Sequence, residues 1–142
     1  MGTFTHSFEV GPSPTGPFAI VEAVVDTGAS YTQLPGSVLE RFGIIPVEQA
    51  QFTLADGRTV TRGIVELYIR LDGRVRATVC IVGNGAAPPL LGAYTLEGFG
   101  LTADPVNKRL VRTALYRCEK DSGDIRRRYR QVAGDAGCAP RR

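Results

Sequence analysis

The sequence predicts an all-β domain, and three observations predict it. Two Asp-Gly pairs, Asp56-Gly57 and Asp72-Gly73, each lie between arms rich in β-branched and aromatic residues, the pattern of β-hairpins. Apolar runs of strand length, alternating or continuous, recur from Phe4 to Tyr116. The only helix-like stretches, Val38 to Phe42 and Ala93 to Gly98, are short and end at glycines. With 142 residues there is room for one domain whose core needs no disulfides, and 43% hydrophobic with 22% charged residues is the balance of a globular protein. No apolar run approaches the length of a membrane span.

Taken in order, Phe4 to Val10 reads as a first strand. Gly11-Pro12-Ser13-Pro14-Thr15-Gly16-Pro17 forces a loop, because proline cannot donate to a ladder. Phe18 to Val25 is nearly continuous in apolar residues and is expected to be a central strand buried on both faces. It ends at Asp26-Thr27-Gly28, a turn that leaves one carboxylate at a strand end. Tyr31 to Leu34 is a brief strand. Pro35-Gly36-Ser37 opens a short helix with Ser37 as candidate cap, and Gly43 and Pro46 stop it. Gln51 to Leu54 and Thr59 to Thr61 flank the turn Ala55-Asp56-Gly57-Arg58. Gly63 to Leu71 and Val75 to Val82 flank Asp72-Gly73-Arg74. After a Gly- and Pro-rich loop, Leu90-Leu91-Gly92 is a short apolar step into the second helix. A last hairpin joins Phe99 to Ala103 with Arg109 to Tyr116 through Asp104-Pro105-Val106-Asn107. The expected division is a folded domain over residues 1–116 and a loosely ordered tail over 117–142.

The net charge of +3 belongs to that tail. Arg117 to Arg142 carries eight Lys/Arg against four Asp/Glu, a balance of +4, and leaves the rest near neutral. Arg126-Arg127-Arg128 and Arg130 could contact nucleic acid or an acidic surface, but short arginine runs are more often solvated linkers, so neither nucleic acid nor membrane is an expected partner. Cys80, Cys118 and Cys138 are odd in number and lack metal-ligand spacing, and Cys80 lies in an apolar run that suits an inert buried thiol. With His6 the one histidine, Ser/His or Cys/His catalysis lacks a base. The N-terminus shows no basic region followed by an apolar stretch, and His6 stands where a myristoylation motif needs Ser or Thr, so a cytoplasmic location is the default expectation.

Asp-Thr-Gly alone reads as an ordinary strand-to-turn junction. Here Val24-Val25-Asp26-Thr27-Gly28-Ala29-Ser30 is followed by a hairpin around Ala55 to Arg58, then by Pro89-Leu90-Leu91-Gly92, a short helix, and Leu101 to Asp104. In that order the motifs resemble the single-lobed, retroviral-type (retropepsin-like) aspartic proteases, over roughly Phe8 to Tyr116. The resemblance implies a retropepsin-like fold: a closed, barrel-like β subunit with one or two short helices, paired as a two-fold homodimer. It matches Asp26 to the catalytic aspartate and Thr27 to the residue whose hydroxyl locks the two active-site loops of the dimer. Gly28 matches the glycine beside substrate, and Ala29 continues the loop. Leu90-Leu91-Gly92 matches the strand that crosses near the catalytic loop. Ala55, Asp56, Gly57 and Arg58 match the tip of the substrate-covering flap, although this tip carries two charges where retroviral flaps are glycine-rich.

The family's chemistry needs two carboxylates sharing a proton, one as general base on a water and one as general acid toward the peptide carbonyl. One Asp-Thr-Gly in 142 residues implies that the second comes from another copy of Asp26. The expected partners are a second copy and an extended peptide or protein substrate, with no metal and no cofactor. Leu34 and Ile81-Val82 are candidate pocket walls, a position that core packing explains equally well. A catalytically silent dimerisation or peptide-binding module on the same fold is the alternative.

Overall fold

The structure is a computed structural model, described over residues 3–113. The end of the expected last strand at residues 114–116, the tail over 117–142 with its arginines, and Cys118 and Cys138 lie outside the described residues. Nine strands and two short helices follow in the order β1 (Thr5–Gly11), β2 (Ala19–Val25), β3 (Thr32–Pro35), α1 (Gly36–Arg41), β4 (Glu48–Thr53), β5 (Thr59–Leu71), β6 (Arg74–Gly83), β7 (Leu90–Leu91), α2 (Ala93–Gly98), β8 (Leu101–Asp104) and β9 (Arg109–Arg112).

Seven strands form one sheet in the order β1-β2-β7-β3-β6-β5-β4, and an additional β1–β5 pairing joins Glu9 to Arg70 and Gly11 to Tyr68. That pairing closes the sheet on itself and leaves β4 as an appendage on β5. Closure makes an inside and an outside, and residues alternate between them. Phe8, Val10, Val21, Ala23, Val25, Val65, Leu67 and Ile69 turn inward and share one core with Leu34, Cys80, Leu91, Leu96 and Phe99.

Alternation corrects the expectation for β2. Its burial alternates, and Ile20 is 75% exposed and Glu22 exposed, so the strand is buried on one face only. A nearly continuous apolar run suggests two covered faces, but the outer face of this barrel meets solvent. Ser37 is not a cap either. The cap position of α1 is Pro35, no side chain bonds there, and Ser37 lies inside the helix. Leu34 is fully buried and packs in the core.

The hairpins follow their turn residues. Asp72 and Gly73 both have positive φ, 54° and 69°, between the paired Leu71 and Arg74, which is the two-residue turn that Asp-Gly favours. Thr59–Leu71 is one continuous strand where the sequence suggests two. Gly63 in its middle ends nothing: a Cβ there would lie 2.8 Å from Pro46 Cγ, so the glycine admits the Pro46 ring. Among the described residues β8 and β9 pair only with each other, as a separate ribbon after α2.

Candidate active site

The loop after β2 is built from backbone bonds. Val24 and Val25 run parallel to Leu90 and Leu91 of β7, and the Asp26 N–H donates to the Leu91 carbonyl at 3.0 Å. Ala29 N–H closes a turn onto the Asp26 carbonyl at 3.1 Å. Gly28 N–H donates to Asp26 Oδ1 at 3.0 Å, which orients the carboxylate. A Cβ at position 28 would sit 3.2 Å from that same oxygen, so the glycine keeps the carboxylate uncrowded. The loop's exit is tied as firmly. The first two amides of α2, which lack helical partners, donate from Ala93 to the Ala29 carbonyl and from Tyr94 to the Ser30 carbonyl, both at 2.9 Å.

Asp26 and Ala29 are half-buried, whereas Thr27 and Gly28 stand exposed at the crest. Among the described residues the Thr27 hydroxyl has no partner. Beside the crest lies a cleft of about 510 Å³ lined by Val25 to Gly28, by Thr3 and Phe4 before β1, and by Thr102, Ala103 and Pro105 of the β8–β9 ribbon. Both ends of the described chain therefore flank the carboxylate.

Beneath the loop is a network that sequence reasoning missed. The Thr32 hydroxyl accepts from Gly92 N–H at 3.1 Å and lies 2.7 Å from Thr95 Oγ1, which is 3.2 Å from Thr78 Oγ1. All three threonines are buried. Gly92 itself is required by contact: a Cβ there would meet the Tyr31 carbonyl carbon at 2.5 Å and the Thr32 nitrogen at 2.8 Å. This is how the loop after β2 and the step before α2 come close enough to bond. The Leu-Leu-Gly motif pointed to the glycine, but nothing in the sequence marks three threonines from separate elements as partners.

The tip of the β4–β5 hairpin, Ala55 to Arg58, is exposed. Leu54 N–H donates to the Arg58 carbonyl at 2.8 Å, and Gly57, with φ +86°, closes the turn onto Leu54 at 3.0 Å. The two tip charges serve each other: Asp56 accepts from Arg58 N–H at 3.0 Å and from its Nε at 2.6 Å. The Arg58 backbone N–H, and then its guanidinium, hold the Asp56 carboxyl below its ordinary value. Among the described residues no hydrogen bond or ion pair joins this tip to the Asp26 loop. The hairpin meets the loop through rings instead, Phe52 of β4 against Tyr31 at 6.1 Å between centroids.

Cys80 is fully buried, and burial pushes its thiol well above the usual range, so it is no nucleophile. Among the described residues no group of three or more His, Cys, Asp or Glu side chains is placed to hold a metal ion. Nor is any helix there long and apolar enough to cross a membrane.

The family model described as "Aspartyl protease" matches residues 19–95, a span holding Asp26, the β4–β5 hairpin and Leu90-Leu91-Gly92. Comparison with curated proteins gives no match. Among solved structures, the chain is similar to the retroviral protease-like domain of Ddi1 from Leishmania major. That likeness has a TM-score of 0.55 at 17% identity and covers 85% of this chain and 98% of that one. It is also similar to the EIAV protease in complex with the inhibitor HBY-793, with a TM-score of 0.51 at 19% identity over 68% of this chain and 88% of that one. At these identities the likeness is one of fold, and it bears out the retropepsin-like architecture expected from the motifs.

Proposed function

Because the chain belongs to the aspartyl protease family, we propose that it is an aspartic endopeptidase acting as a homodimer, with Asp26 of each copy supplying one carboxylate of the catalytic pair. The observation that carries this reading is the Asp26 carboxylate at a strand end, oriented by Gly28 N–H at 3.0 Å on a loop bonded at entrance and exit to β7 and α2. Preorganisation of this kind is what general acid–base chemistry needs. One carboxylate takes a proton from a water, which attacks the peptide carbonyl carbon. The other, protonated, donates to the carbonyl oxygen. Collapse of the tetrahedral intermediate then returns a proton to the leaving amine.

A second copy suits the face on which Asp26 sits. Thr27 and Gly28 are exposed there, and the cleft beside them is lined from both ends of the described chain. Among the described residues the β8–β9 ribbon pairs with no other strand, which suits pairing with the same ribbon of a partner across a two-fold axis. β1 and β9, the first and last strands among the described residues, would supply such contacts. An extended peptide would lie between Asp26 and the β4–β5 hairpin acting as flap, held by strand-like backbone bonds.

One observation favours the second reading, a silent dimerisation or peptide-binding module: Asp56 and Arg58 satisfy each other and leave the tip no unpaired charge for a substrate. Digestion of a peptide library separates the two. The Asp26→Asn variant is expected to lose about 10²- to 10⁴-fold in cleavage, the usual weight of a general acid–base group. Equal cleavage by variant and wild type would sink the proposal. A wild-type dimer that binds peptides without cutting them from acid to neutral pH would establish the module.

A further inference from the structure

Beyond its base the β4–β5 hairpin is a two-stranded ribbon. Among the described residues β4 pairs only with β5, and β5 gains its second neighbour, β6, from Ile64 onward. A lone pair of strands is marginal in water, so its contacts with the body decide where it rests. Its inward positions are Ala50, Phe52 and Leu54, half-buried between exposed Gln49, Gln51 and Thr53. Phe52 packs edge-to-face on Tyr31, with planes at 89°.

Tyr31 ends the loop that begins at Asp26, and it is held from two sides. The Tyr94 ring lies 5.5 Å from its own, tilted by 53°. Its backbone carbonyl oxygen runs so close to Gly92 that a Cβ there would approach to 2.6 Å. Tyr94 is in turn fixed by its N–H bond to the Ser30 carbonyl. An aromatic path thus runs from the ribbon through Tyr31 to α2, the element that also carries the Asp26 loop.

We infer that Tyr31 is a positioning residue: its ring anchors Phe52 and sets the resting position of the β4–β5 hairpin over the Asp26 loop. The consequence for catalysis rests on reading that hairpin as a flap, but the coupling of Tyr31 to the tip does not. Opening for a peptide breaks the Tyr31–Phe52 contact, and closing over the bound peptide remakes it. Tyr31 bears no bond to the Asp26 carboxylate, so its loss acts on closure rather than on the proton transfers.

Amide hydrogen exchange on the full chain tests the coupling without any need for turnover. The reporters are the Leu54 and Gly57 amides, both bonded within the tip. Tyr31→Ala and Phe52→Ala are each expected to speed their exchange about threefold to tenfold, the weight of one edge-to-face pair. The double variant should exchange no faster than either single one, and Tyr31→Phe should match wild type. Phe52 sits on the projecting ribbon, so Phe52→Ala remains informative even where Tyr31→Ala disturbs the loop. Unchanged exchange in Phe52→Ala, or single effects that multiply in the double variant, would overturn the assignment. Where peptide cleavage is observed, Tyr31→Ala should raise KM about threefold to tenfold with kcat within about twofold. A fall in kcat at constant KM would contradict a positioning role. Absence of cleavage in wild type would count against the protease reading alone, since the exchange result stands by itself.

Discussion

At Thr32 one hydroxyl serves two elements, because it accepts from Gly92 N–H while contacting Thr95 Oγ1 in a fully buried setting. Thr32→Val keeps the shape and strands the Gly92 donor, and a buried unsatisfied donor costs about 1–3 kcal/mol. Chemical denaturation should show that loss. Gly92→Ala is more severe: its Cβ meets backbone atoms of Tyr31 and Thr32 at 2.5 to 2.8 Å, and backbone cannot swing aside as a side-chain end can. A destabilisation of at least about 3 kcal/mol is expected in the same experiment, with displacement of the Asp26 loop. The glycine was legible in the sequence because Leu90-Leu91-Gly92 is a motif. The threonines were not, since Thr32, Thr78 and Thr95 belong to β3, β6 and α2 and only the fold brings them together.

Among the elements, the hairpins are legible in the sequence because Asp-Gly fixes a turn locally, as the positive φ values at Asp72 and Gly73 show. Local sequence pattern does not determine the outcome where distant packing decides it. Gly63 resembled a break and instead makes room for Pro46, and Ile20 joined an apolar run yet faces solvent on the outer side of a closed barrel. The β4–β5 tip carries its own pH dependence. Asp56 is held below its ordinary value of 3.8 by Arg58. Asp104, in the β8–β9 turn, is held below 3.8 first by the Asn107 side-chain amide, then by the Asn107 and Val106 N–H groups and Arg109. A carboxyl whose folded value is depressed adds stability above its unfolded value, and that contribution is lost as pH falls through the folded one. The window therefore lies below 3.8. NMR titration should place both midpoints under that value, and Arg58→Ala should return Asp56 toward it. An Asp56 midpoint indifferent to Arg58→Ala would show that the tip pair does not form in solution.

For the whole molecule, the closed sheet does one thing that no single element does: it sets β7 between β2 and β3, so the loop carrying Asp26 and the step carrying Gly92 are buttressed together. A strand crossing near the Asp26 loop is what the family resemblance implies for Leu90-Leu91-Gly92, and the overall fold is similar to solved retroviral protease-type structures. The proposed mechanism needs Asp26 from two copies. Its most direct test is to mix wild-type chain with Asp26→Asn chain, allow subunits to exchange, and measure peptide cleavage per wild-type chain. If each site draws one carboxylate from each copy, an equal mixture leaves about half of the wild-type chains in inactive mixed pairs, and activity per wild-type chain falls to about half. Activity per wild-type chain that stays constant at every mixing ratio would contradict the paired-carboxylate account.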